Sequence, residues 1–194
     1  MYGYRYGRGR FFYPGELGEL LLAMLSVYAV FLSMAGFIFT PRHLLYIFIL
    51  SFLVYVPHEM AHKFTALHYG YPARFKLILE YFLLTLISAI PLIPIKIIVP
   101  GTVLIYSFGP INKEENGIIA AAGPATNIVI GLASLAYALA FRAPIAVILA
   151  QISGWIAFFN LLPFGPLDGR KIASWSIPVW LVLMGFSVYL SFFI

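Results

Sequence analysis

Six apolar runs occupy most of this chain, and their lengths decide what it can fold into. Five of them, at 17–39, 44–67, 118–141, 145–162 and 177–194, match or approach the roughly 20 residues a helix needs to cross a bilayer. The sixth, 75–91, passes into a β-branched stretch at 92–108 broken by Pro94, Pro100 and Gly101. That stretch predicts strands with a turn at Pro100-Gly101. Charged residues make up 10% of the chain and mean hydropathy is +0.96, whereas a soluble domain is about a quarter charged. Too little polar surface is encoded to face water. The expected fold is therefore an all-α polytopic membrane protein, with about five transmembrane helices plus a re-entrant membrane-embedded helix/β-hairpin element over 75–108.

The net charge of +5 includes Arg5, Arg8 and Arg10, set among tyrosines and glycines just before the first apolar run. They read as a cytoplasmic flank, and no nucleic-acid partner is expected. The run at 17–39 is too long for a signal-peptide core. There are no cysteines, so a metal here would be held by His, Asp or Glu.

Inside the 44–67 run stands His58-Glu59-Met60-Ala61-His62. In a helix, positions i and i+4 share a face one turn apart, so both imidazoles can bind one Zn²⁺, with Glu59 beside them as a proton carrier. Ionisable groups within a span are costly, and that favours a functional role over a solvated face. Zinc also needs a third protein ligand. Glu16 and Glu19 open the first run, and Glu114 and Glu115 lie in a polar loop at 112–116, which leaves Glu80 and Asp168 as candidates.

Two motifs together resemble the site-2 proteases, a family of intramembrane zinc metalloproteases. One is His58-Glu59-x-x-His62. The other is Asn160-x-x-Pro163 followed by Leu167-Asp168-Gly169. Gly123-Pro124-Ala125-Thr126-Asn127 is a third, weaker element. The resemblance implies that His58, His62 and Asp168 bind one zinc per chain, that Glu59 is the catalytic base, and that Asn160 positions substrate or stabilises the oxyanion. It covers roughly 43–175 and implies a single domain: a flank at 1–15, a catalytic core at 43–175 and a C-terminal span at 176–194, in a minimal form without PDZ or CBS domains. The implied partners are a transmembrane protein substrate and membrane lipid.

Asp168 reaches the His58 end of its helix only if 75–108 enters the membrane and returns on the same side. Basic residues agree with that path. With the N-terminus inside, Arg5, Arg8, Arg10, Lys63, Arg74, Lys76, Lys113, Arg170 and Lys171 lie on the cytoplasmic side, and only Arg42 and Arg142 lie outside. A multi-pass protein of the cell membrane is expected. The 92–108 stretch is expected to hold substrate in extended form by strand addition.

Glu80 is expected to pair with Lys76 one turn earlier. His43 and His68, near helix ends, are expected at the membrane interface. Asn127 suits either a hydrogen bond to a zinc ligand or a plain interhelical bond. The rival functions are a silent membrane scaffold, which has no need of Glu59, and a metal carrier, which would string polar groups along a path.

Overall fold

The computed structural model describes residues 11–36 and 40–194. The Arg5, Arg8 and Arg10 flank and the end of the first apolar run lie outside the described residues. Thr40 starts a long helix. Its side-chain oxygen accepts the His43 N–H, and Pro41 sits in the first turn, where a missing N–H costs nothing. That helix, α2 (Pro41–His68), follows α1 (Glu16–Met34). After α2 come β1 (Ala73–Leu77), α3 (Leu79–Ser88), β2 (Gly101–Ile105), α4 (Lys113–Phe141), α5 (Pro144–Asn160), α6 (Asp168–Trp175) and α7 (Ile177–Phe192). Among the described residues, α1, α2 and α4 are long and apolar enough to cross a membrane, and α5 and α7 are apolar but shorter.

The 75–108 region departs from expectation in two ways. Phe75 to Leu77 form a strand rather than the start of a helix, so α3 has only 10 residues, about 15 Å. Only one strand, β2, forms in the β-branched stretch, and its partner is β1 upstream rather than residues before Pro100. The pairing is antiparallel, with Ala73 opposite Ile105 and Leu77 opposite Gly101. Pro94 and Pro100 have no N–H to give to a ladder. Residues 89–98 are instead tied to the end of α3. Lys96 Nζ donates to the Ser88 and Ile90 carbonyls, and the Ser88 hydroxyl bonds the Ile97 backbone. Because β1 and β2 lie side by side, the chain that leaves at Leu77 returns at Gly101.

The polar loop expected at 112–116 is mostly helix. The Asn112 side chain caps α4 by accepting the Glu114 N–H, and Glu114 and Glu115 sit in the first turn, where the helix dipole favours negative charge. Lys76 pairs with Glu19 at 3.1 Å, not with Glu80, which is exposed on α3. Phe75 and Lys76 lie within β1 rather than in a helix with Glu80, and this turns Lys76 towards α1. The core joins α1, α2, β1 and α5 through Val27, Phe31, Val54, Tyr55, Phe75 and Ile156.

Candidate metal centre

The three expected ligands converge. His58 and His62, one turn apart on α2, lie with Asp168 at the first position of α6. Their donor atoms form a triangle. The two Nε2 atoms are 3.1 Å apart, and Asp168 Oδ2 is 3.1 Å from His62 Nε2 and 3.5 Å from His58 Nε2. Zinc–nitrogen bonds of about 2.0–2.1 Å at a tetrahedral ion would set ligand atoms roughly 3.3 Å apart. All three side chains are buried or nearly so.

The hydrogen bonding around the triangle suits a cation. His62 Nδ1 is 2.7 Å from the Ile119 carbonyl oxygen. A carbonyl only accepts, so Nδ1 carries a proton, and Nε2 is the ring nitrogen turned towards His58 and Asp168. Two ring nitrogens and a carboxylate oxygen this close repel one another unless a proton or a metal lies between them. Burial opposes charge on Asp168, but the His62 and His58 imidazoles outweigh it and hold the carboxyl well below the usual carboxylate range. That favours the ionised carboxylate, the form in which it can bind a metal. No cysteine competes, and two imidazoles with one carboxylate form a donor set that zinc takes in hydrolases.

Two glycines let the elements approach this closely. A Cβ on Gly123 of α4 would collide with the Nε2 atoms of both histidines, so α4 covers the imidazoles with bare backbone. A Cβ on Gly169 would overlap the Leu161 carbonyl at the end of α5. Without a side chain at Gly169, α6 can start against α5 and carry Asp168 to the histidines. The Leu161 carbonyl is also held by Trp180 Nε1 at 2.7 Å.

Glu59 is buried on α2 and lines a cavity of about 90 Å³ together with the three ligands. Asn160, the last residue of α5, lines it too. Its amide donates one N–H to the Ile156 carbonyl at 3.0 Å, which leaves the second N–H and Oδ1 for another partner. Asn127, fully buried on α4, interacts electrostatically with His58. Its amide atoms and His58 Nδ1 are all buried without a hydrogen bond among the described residues. Glu80, the other candidate for third ligand, is absent from the cluster.

Sequence reasoning missed Lys171, Asn116 and Thr102, which also line the cavity. Lys171 Nζ is 3.8 Å from Asp168 Oδ1. Its position one turn after Asp168 was the available signal.

β2 forms one wall of the cavity, through Gly101, Thr102, Val103 and Ile105. The Tyr106 N–H donates to the Pro72 carbonyl, and the Ile78 N–H to the Pro100 carbonyl. Hydrogen-bonded pairs alternate along an antiparallel ladder, so Thr102 and Leu104 turn their backbone groups to β1. Those of Gly101, Val103 and Ile105 lie on the other edge, which no strand among the described residues covers.

The chain is 31% identical, over 193 aligned positions, to a protein of Methanocaldococcus jannaschii named "Putative zinc metalloprotease"; the match takes in 90% of this chain and 95% of that protein. No family model and no solved structure matches the chain.

Proposed function

Because the chain belongs to the zinc metalloprotease family of that archaeal protein, we propose that it is an intramembrane endopeptidase of the site-2 type. Its substrates are transmembrane segments of other proteins. The observation that carries this reading is the donor triangle of His58, His62 and Asp168 with Glu59 alongside, on a 28-residue helix apolar enough to span a bilayer.

His58, His62 and Asp168 hold the metal. When bound there, zinc supplies Lewis acidity to the scissile carbonyl and makes water more acidic. Glu59 takes a proton from the attacking water at its carboxylate and hands it to the departing amine nitrogen. Asn160 offers its free amide N–H to the oxygen on which charge develops. The cavity holds only a few waters at about 30 Å³ each. A substrate segment enters by parting β2 from the other residues that line the cavity, among them Ile156, Asn160 and Leu167. It then adds as a strand to the β2 edge, which holds its backbone extended, because a peptide bond inside a helix is shielded.

The membrane path we favour has five spans, with residues 73–105 entering and returning, and the N-terminus in the cytoplasm of a cell-membrane protein. The β1–β2 pairing supports the return. Lys63 drops out of the charge comparison because it is fully buried against Glu16, and the remaining basic residues still favour this orientation.

Metal analysis of the detergent-solubilised chain tests the reading. One zinc per chain is expected, lost in Asp168→Ala and kept in Glu59→Gln, with cleavage of single-span reporter segments abolished in both. A zinc-loaded wild type that cuts nothing in a broad reporter panel would return the protein to the scaffold class.

A further inference from the structure

The two edges of the β1–β2 sheet are treated differently. In β1 the outward-facing N–H groups belong to Ala73, Phe75 and Leu77, because Arg74 and Lys76 turn theirs towards β2. The last two are taken by carboxylates. The Phe75 N–H donates to Glu16 at 2.8 Å, and the Leu77 N–H donates to Glu19 at 2.8 Å. Glu16 and Glu19 stand one turn apart at the start of α1, so both carboxylates share a helix face. They occupy the edge of β1 as a neighbouring strand would.

Both carboxylates hold cations as well. Glu19 accepts from Arg74 at 2.7 Å and from Lys76 at 3.1 Å. Glu16 accepts from Lys63 Nζ at 2.5 Å, with both side chains fully buried. Lys63 directly follows His62 on α2. A single carboxylate oxygen, Glu16 Oε1, therefore touches the helix of the metal ligands and the backbone of the sheet.

We propose that Glu16 and Glu19 are positioning residues for proteolysis: they close the β1 edge, leave β2 as the one edge open to a substrate strand, and fix that edge against α2. The proposal rests on the reading of β2 as the docking edge. A strand fixes its partner's register in steps of one residue, so the bond presented to Glu59 depends on where the sheet stands. Misplacement by about 1 Å can cost on the order of a hundredfold in rate. Stability alone does not explain the buried pair, since well-packed apolar residues often serve a core as well.

The absence of native cysteines makes the test direct in the full chain. Spin labels go on Ile49→Cys of α2 and Leu104→Cys of β2, both exposed positions. In Glu19→Ala the label-to-label distance distribution is expected to broaden or shift, while zinc content stays at the wild-type level. Glu19→Gln, which keeps an acceptor for the Leu77 N–H, is expected to lie closer to wild type. The second readout is a single-span reporter that the wild type cuts and Glu59→Gln spares. With it, Glu19→Ala is expected to lose tenfold or more in kcat and to spread its cuts over neighbouring bonds. An unchanged distance distribution overturns the proposal. So does a displaced sheet with the same rate and cut position, and so does loss of zinc, which would make the carboxylates supports of α2 alone. If the wild type binds zinc but cuts no reporter, the docking-edge reading fails, and the label distances decide by themselves whether the carboxylates fix the sheet.

Discussion

Gly123 lies directly against His62: a side-chain carbon there would overlap the His62 and His58 Nε2 atoms of the candidate metal site. The prediction is a loss of zinc without a loss of fold. Gly123→Ala leaves the α4 backbone helical, since alanine is the better helix former by about 1 kcal/mol. Its methyl group, however, forces the imidazoles apart or α4 outwards. Zinc content in the purified variant is expected to fall to a small fraction of wild type, with the helical circular dichroism signal retained. Wild-type occupancy would mean that α4 steps back easily and that its close approach is incidental.

Gly169→Ala makes a harsher collision, because the obstacle is the Leu161 carbonyl rather than a mobile side chain. The start of α6 must shift, and Asp168 moves with it. Both zinc content and thermal stability are expected to drop, by contrast with Gly123→Ala, where stability is largely kept. A variant with normal zinc and normal melting temperature would show that Asp168 is not held by the packing of α6 on α5.

The β2 ladder separates two proline substitutions that look alike in sequence. Val103 turns its N–H to the open edge, and Leu104 turns its N–H to β1. Val103→Pro deletes a docking donor and spares the ladder, whereas Leu104→Pro deletes a ladder bond. Reporter cleavage is expected to fall strongly in Val103→Pro with zinc unchanged, and Leu104→Pro should melt earlier. Unaltered cleavage by Val103→Pro would remove β2 from the substrate path.

Much of the metal centre was legible in the sequence. His58, Glu59 and His62 are picked out by helical spacing; the need for a third ligand left Glu80 and Asp168 open, and the resemblance to the site-2 proteases implied Asp168. Its companion Gly169 was legible as part of a motif, but its reason, the Leu161 carbonyl, is a contact between helices that no local pattern contains. The β1–β2 pairing was misread because Phe75 and Leu77 lead into an apolar run, and two apolar residues flanking Lys76 are too short a pattern to distinguish strand from helix. What makes it a strand is distant in sequence: the Glu16 and Glu19 carboxylates bond its edge from nearly sixty residues upstream. Glu16 in turn was read only as an acid opening the first apolar run, and Lys63 only as one of the cytoplasmic-side basic residues. Each takes its meaning from the other.

The Glu16–Lys63 pair gives the last prediction. Both side chains are fully buried, and Lys63 Nζ also lies 4.4 Å from the Phe12 ring centroid. Removing one partner leaves the other charge buried and unpaired, at a cost of about 3–5 kcal/mol. Lys63→Met is therefore expected to lower the melting temperature of the detergent-solubilised chain severely. Glu16→Leu with Lys63→Met removes both charges. It strands only the Tyr13 and Phe75 N–H groups that Glu16 accepted, at about 1–3 kcal/mol each. The double variant should melt no lower than Lys63→Met, although it carries one more substitution, and that non-additivity is the signature of a coupled pair. If the two substitutions simply add, the pair is not a unit, and α1 is held to α2 by apolar packing through Val27 and Val54 instead.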